Sequence, residues 1–208
     1  MADLLRLFSG KSWYPQIDLC NISLAKVAET YRTVRKTFFD LMHYQTQTQL
    51  GVKVVMGDAM IKDKSTVEVN GEEFNGDQLV VATGSRPTMM NIPGIDLEGV
   101  LTYANFPELT YDPKKVVVVG GGKIGVSYAS IFRAFGAQTS IIEKYEVIPQ
   151  LDSEVRDFVV SNMRRRGIEI YEGADVTEIK GGSKLESVKI NVKGFTDEIP
   201  CDAIMFCV

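Results

Sequence analysis

The chain has 208 residues, 45% hydrophobic and 24% charged, which is ordinary globular usage with room for one sizeable domain or two small ones and argues against disorder. A net charge of -4 and a sequence pI near 5.2 leave no basic field for phosphate backbones or anionic lipid surfaces, so nucleic acid and membrane are poor partners. No apolar run reaches the roughly 20 residues of a membrane span and the N-terminus lacks the layout of a secretory signal, which predicts a soluble, cytoplasmic chain.

In chain order, the opening "LFSGKSWYP" places Trp13, Tyr14 and Pro15 as an apolar anchor for the N-terminal segment, with the lining of a substrate approach in a whole enzyme as the alternative. A helix-like pattern runs over 25–49 and holds the single histidine, His43. With no cysteine or acid at ligand or triad spacing, His43 reads as a surface or helix-end residue. "GVKVVMGDA" then reads as a strand, "TVEVNGEEF" as a hairpin turning at Asn70 and Gly71, and "DQLVVATGS" as a strand covered on both faces. Downstream, 115–119 is a strand, 120–125 a tight turn, 126–135 a helix and 139–142 a second strand, together a βαβ unit. A helix over 152–166 closes on Arg164, Arg165 and Arg166, cations that complement the dipole's negative end. "GIEIYEGAD", "SVKINVKGF" with Gly194 near its turn, and "CDAIMFCV" repeat the strand, hairpin and closing strand of the first half.

The two halves share this layout at an offset of about 116 positions. Only the second is preceded by a βαβ unit, and the apolar final strand ought to lead into further structure, so the chain is expected to be a fragment that begins inside a domain. Three cysteines, Cys20, Cys201 and Cys207, are too few and too scattered for a disulfide framework or a zinc site and read as buried thiols. The even offset of Cys201 and Cys207 predicts one shared strand face, with the two about 20 Å apart.

Gly120, Gly122 and Gly125 follow four consecutive valines and open a helix. Gly120 permits the tight turn, Gly122 lets amides approach a pyrophosphate with no Cβ in the way, and Gly125 lets helix and strand pack closely. The unpaired N–H groups and dipole of the helix mouth favour a diphosphate there, with Gly121, Lys123 and Ile124 completing the turn. Glu143 ends the next strand about 20 residues on, where a carboxylate accepts hydrogen bonds from ribose hydroxyls and repels a 2′-phosphate. NAD(H) is therefore expected over NADP(H), tempered by Lys144, a cation able to pair with a phosphate. The alternatives are glycines that merely let a helix cross a sheet beside a solvated Glu143, and the glycine turn of a methyltransferase, which does not predict the internal repeat.

"VVVVGGGKIGVSYASIFRAFGAQTSIIEK" resembles the NAD(P)-binding segment of the pyridine nucleotide-disulfide oxidoreductases, flavoproteins such as dihydrolipoamide dehydrogenase, glutathione reductase and mercuric reductase. "LVVATGSRP", residues 79–87, resembles that family's second flavin motif, and "NIPGIDLEGVLTYANFPEL" its interdomain connector. "LFSGKSWYP" and "LTYDPKKVVVVGG" look most like the branch holding 2-ketopropyl-coenzyme M oxidoreductase/carboxylase. The resemblance implies an α/β chain of Rossmann-like FAD- and NAD(P)-binding domains. Residues 1–110 would be a partial FAD domain and 111–208 the NAD domain. It gives Gly120, Gly122, Gly125 and Glu143 to the dinucleotide and Thr83 and Gly84 to the flavin neighbourhood, with FAD bound in a full-length, homodimeric parent. The family's first flavin motif, its paired redox cysteines, its later flavin motif and its dimerisation domain have no counterpart here. Two positions depart from the pattern: Lys123 stands where the family often has a Tyr that gates the flavin, and Ser127 where it has a Glu that pairs with a lysine. Losing that carboxylate removes a charge that tunes the lysine.

The reading is thus a fragment, itself inactive and with no catalytic or metal-binding residue assigned. It comes from a flavoprotein that passes hydride from NAD(P)H to FAD and on to a disulfide or thiol-linked substrate. Two alternatives stay open: a noncatalytic dinucleotide-binding or assembly module, and an NADPH-dependent member of the carboxylating branch.

Overall fold

The computed structural model describes residues 23–208, so Trp13, Tyr14, Pro15 and Cys20 lie outside the described residues. The described chain divides into two compact units, residues 33–86 and residues 87–208 together with 23–32. Helix α1 (Leu24–Thr48) lies within a residue of its expected bounds and contributes to both units. No helix among the described residues is long and apolar enough to cross a membrane.

In the smaller unit, β1 (Ala59–Ile61), β2 (Thr66–Val69) and β3 (Glu72–Asn75) form an antiparallel meander. Asn70 at φ 54° and Gly71 at φ 82° make the left-handed pair that a type I′ hairpin demands, as the Asn-Gly dipeptide predicts. Before β2, Asp63 Oδ1 accepts the N–H groups of Ser65 at 2.8 Å and Thr66 at 2.9 Å, and these bonds hold its carboxyl below the usual range.

Two expected strands of this unit are not formed. Residues 51–56, from "GVKVVMGDA", and residues 79–84, from "DQLVVATGS", carry no ladder, and Val80 is 82% exposed. A β-branched apolar run becomes a strand only where a neighbour supplies hydrogen-bond partners and cover, and no described strand pairs with either run.

The larger unit is built on five parallel strands in the order β4 (Val100–Thr102), β11 (Ala203–Phe206), β5 (Lys115–Val119), β6 (Gln138–Glu143) and β7 (Ile168–Glu172). Both faces are covered. On one, Val116, Val118, Ile141, Ala203 and Met205 pack with Ala129 and Phe132 of α2 (Lys123–Ala134) and with Val160 and Met163 of α3 (Ser153–Arg165). On the other, Val117, Val119, Ile142, Ile204 and Phe206 pack on a second meander of β8 (Ala174–Gly181), β9 (Leu185–Val192) and β10 (Phe195–Pro200). A strand buried on both faces has no polar side to show, which is why four valines follow one another without alternation. The β9–β10 turn is again left-handed, with Lys193 at φ 51° and Gly194 at φ 91°. Among the described residues the internal repeat therefore survives as two meanders, while flanking parallel strands form only in the second copy.

Helix α2 starts at Lys123, three residues before the expected 126, because Gly122 caps it and Gly125 is already helical. Helix α3 matches its expectation, with Asp152 as N-cap, Arg164 and Arg165 in the last turn and Arg166 as C-cap.

Cys201 and Cys207 do not share a face. Cys201 packs with Val117 and Ile204, whereas Cys207 packs against the opposite cluster with Met205. Alternation fails because β11 begins only at Ala203, after Asp202 has turned back to accept the N–H groups of Lys114 and Lys115.

Burial pushes both thiols up to about 12. Cys201 and Cys207 are accordingly expected to resist iodoacetamide at pH 8 until denaturant is added, as mass spectrometry would read. A raised folded pKa contributes stability that is fully present below the unfolded thiol value, about 8.5, and is lost as pH climbs from there towards 12. The urea midpoint should fall across that window, and fall less in Cys201→Ala.

Candidate functional site

Strand β5 lies inside the sheet, with β6 on one side, reached through α2, and β11 on the other. Chain direction therefore diverges at its carboxyl end, the position where open α/β sheets leave a crevice. Four glycines shape that end, and their reasons differ. Gly120, at φ 102°, donates its N–H to Ile142 O at 2.9 Å, and a Cβ on it would lie 2.7 Å from Cys207 O. A Cβ on Gly125 would lie 1.8 Å from Gly120 O, so the helix crosses the turn closer than any other residue permits. A Cβ on Gly121 would meet Val147 Cγ2 at 2.7 Å and Glu143 Cβ at 3.1 Å. Gly122 is the exception: a Cβ there would meet no protein atom within 4 Å.

Gly122 caps α2 without any side-chain hydrogen bond, and the first helical bond runs from Val126 N to Gly122 O at 3.0 Å. The N–H groups of Lys123, Ile124 and Gly125 precede that bond and carry the positive end of the helix dipole. Ile124 is 52% exposed and Lys123 is exposed beside it. Glu143, half-buried at the end of β6, accepts from Gly121 N through Oε2 at 2.6 Å and from Tyr145 N through Oε1 at 2.8 Å. The next residue, Lys144, reaches Asp175 Oδ2 at 3.6 Å across the surface.

The structure thus gathers Gly120, Gly121, Gly122, Lys123, Ile124, Gly125 and Glu143 at one end of β5 and β6, with Lys144 alongside engaged by Asp175. Thr83 and Gly84 belong to the other unit, where both are exposed and outside any strand. His43 is half-buried towards the end of α1, its ring stacked on Phe39 at 5.9 Å. Lys123 and Ser127, the two departures from the family pattern, line one cavity of about 400 Å³ with Tyr103, Ile124, Tyr128 and Ile131. Ser127 spends its hydroxyl on Lys123 O at 2.8 Å.

Sequence reasoning missed the loop that closes the turn from the other side. Ile148 donates its N–H to Gly121 O at 2.8 Å while holding φ 46°, a left-handed conformation that β-branched residues avoid. Arg156 and Glu172 brace that loop through Val147. No spacing signals them, because the three come from a loop, a helix and a strand that meet only in the fold.

A model of the pyridine nucleotide-disulphide oxidoreductase family matches residues 19–208. The chain belongs to that family. Among its relatives, mercuric reductase of Lysinibacillus sphaericus is 25% identical over 191 residues, 91% of this chain and 34% of that protein. Dihydrolipoyl dehydrogenase of Acholeplasma laidlawii is 35% identical over 134 residues, 62% of this chain and 40% of that protein. This pyridine nucleotide-disulphide oxidoreductase chain thus spans well under half the length of the curated relatives it matches. In fold it is similar to the HOCl-induced flavoprotein disulfide reductase RclA from Escherichia coli, with a TM-score of 0.72 at 21% identity over 99% of this chain and 52% of that one. The Rossmann-like α/β fold expected from the sequence is the fold observed.

The four positions divide by what fills their Cβ space. Gly125→Ala is expected to lose about 3 kcal/mol or more in urea unfolding, since backbone oxygen cannot yield. Gly122→Ala, at φ -72° and facing open space, should change stability by less than about 1 kcal/mol.

Proposed function

We propose that the chain is the nucleotide-binding part of an FAD-dependent pyridine nucleotide-disulfide oxidoreductase. In this reading an adenine dinucleotide lies with its diphosphate at residues 120–125 and its ribose on Glu143, NAD(H) in preference to NADP(H). One observation carries it. Gly120, Gly121 and Gly125 are each required by protein atoms, but Gly122 is required by none, and a helix mouth with no side-chain cap bond adjoins its open side. A glycine with no packing reason at such a mouth is what a backbone-bound anion needs. The preference for NAD(H) is supported by Glu143, whose carboxylate ends β6 beside the glycine turn, where it would accept from ribose hydroxyls and repel a 2′-phosphate.

Family membership supports the wider activity of a homodimeric whole protein, in which hydride passes from NAD(P)H through FAD to a disulfide or thiol-linked substrate. The nicotinamide supplies the hydride chemistry when bound. This chain's residues bind and orient: first-turn amides of α2 neutralise the diphosphate, and Glu143 accepts from the ribose. Residues 111–208 hold the whole βαβ unit with its meander and are read as the NAD domain, and 1–110 as part of the FAD domain. Thr83 and Gly84, exposed and outside a strand here, are read as part of the flavin neighbourhood of the whole protein.

A second reading, a dinucleotide-binding module without redox chemistry, is favoured by Lys123 and Ser127 standing together in the cavity beside the helix mouth. The carboxylating, NADPH-dependent reading is distinguished from both by nucleotide choice.

Calorimetry with ADP-ribose and its 2′-phosphate tests the main reading. ADP-ribose should bind, the 2′-phosphate at least about tenfold more weakly, and Glu143→Ala should weaken ADP-ribose about tenfold to a hundredfold by losing charge-assisted hydrogen bonds. Gly122→Ala should lose binding with its unfolding curve unchanged. No heat with ADP-ribose, or tighter binding of the 2′-phosphate, contradicts the assignment. Separately, FAD mixed with this chain should keep its visible absorbance when NADH is added anaerobically. Bleaching would show that the exposed flavin motif assembles a working site.

A further inference from the structure

The loop between β6 and α3, residues 144–152, is held in a conformation that its sequence disfavours. Ile148 is β-branched, 4% exposed and at φ 46°, and such a residue keeps a left-handed backbone only where its surroundings over-determine it. Those surroundings are the buried core around Ile148, the backbone bond from Leu151 N to Ile148 O at 3.2 Å, and an ion pair that grips the preceding residue, Val147. Glu172, at the end of β7, accepts Val147 N through Oε1 at 2.8 Å, and Arg156 of α3 donates Nε to Val147 O at 3.0 Å. Arg156 Nη2 also pairs with the same Glu172 oxygen. Both peptide groups of fully buried Val147 are thus satisfied by two side chains that bind each other. The pair is largely withdrawn from water, with side chains 17% and 27% exposed, so it escapes the screening that weakens surface pairs. Further along, Gly173 N donates to Tyr145 O at 3.2 Å and ties down the start of the loop.

The consequence falls on Gly121. Its carbonyl accepts from Ile148 N at 2.8 Å and its N–H donates to Glu143 Oε2 at 2.6 Å, so one residue of the glycine turn is gripped from both sides. The Glu143 carboxylate offers roughly four lone-pair sites. The Gly121 and Tyr145 N–H groups take two, leaving two acceptors for a vicinal pair of hydroxyls.

We propose that Arg156 and Glu172 are positioning residues for dinucleotide binding: through Val147 and Ile148 they hold the carbonyl side of Gly121, and through that residue's N–H the Glu143 carboxylate, in the orientation that receives the ribose. This rests on the reading of residues 120–125 and Glu143 as the dinucleotide site. Without the pair, Ile148 relaxes to negative φ, its bond to Gly121 O breaks, and Glu143 loses the fixed partner that aims it.

The test pairs a ligand-free readout with a binding cycle on the whole chain. In the amide NMR spectrum, the short bond from Gly121 to a carboxylate should shift its N–H downfield in the wild type, and Arg156→Met should move it back. In calorimetry, Arg156→Met should weaken ADP-ribose about tenfold, yet less than about twofold in a Glu143→Gln background, because the effect passes through that carboxylate. Glu172→Gln, which keeps shape and an acceptor for Val147 N, should show a smaller loss with the same dependence on Glu143, and it replaces Arg156→Met should that variant fail to fold. Equal losses in both backgrounds, or an unmoved Gly121 amide in a folded variant, overturn the proposal. A wild type that binds no ADP-ribose overturns the dinucleotide reading beneath it.

Discussion

The approach of α2 to the end of β5 is the constraint on which the larger unit turns. Gly125 sits so near Gly120 that its missing Cβ is occupied by a backbone oxygen, 1.8 Å from where the carbon would stand. A helix brought that close presents its first-turn amides directly over the carboxyl end of the strand. Any less intimate packing would carry the helix mouth away from Glu143. Aromatic contacts keep it there, with Phe106 set edge-on to Tyr128 at 5.0 Å and to Phe132 at 5.9 Å.

Sheet burial supplies the stiffness this geometry needs. Covered by helices on one side and a meander on the other, the valines of β5 are almost wholly withdrawn from solvent. Close-packed layers of this kind transmit strain rather than absorb it, so a loop can hold Ile148 at positive φ against a glycine turn. Among the described residues the smaller unit has no such cover: Val34, Phe38, Phe39 and Met42 of α1 are each more than half exposed, as is Val81. The same periodicities that make layers in one unit leave open apolar faces in the other.

Much of the architecture was legible in the residues. The Asn70–Gly71 turn, the valine strand, helix α3 with its basic end and Glu143 closing β6 all appear where local signals put them. Misreadings arose where a partner element decides the outcome. Residues 79–84 look like a buried strand but lack a ladder, Cys201 leaves its expected face because Asp202 bonds to Lys114 and Lys115, and α2 begins a turn early because tertiary packing overrides glycine's low helix propensity.

By itself, the order of residues determined that a glycine turn follows a doubly buried strand and that an acid ends the next one, because a missing Cβ, a run of β-branched side chains and a spacing are local properties. Only the tertiary structure decided which glycines serve packing and which faces open space, that Lys144 turns to Asp175, and that Arg156 and Glu172 brace the loop over Gly121. Those are contacts between elements far apart in the chain, and no local pattern encodes them until the sheet has brought the strand ends together.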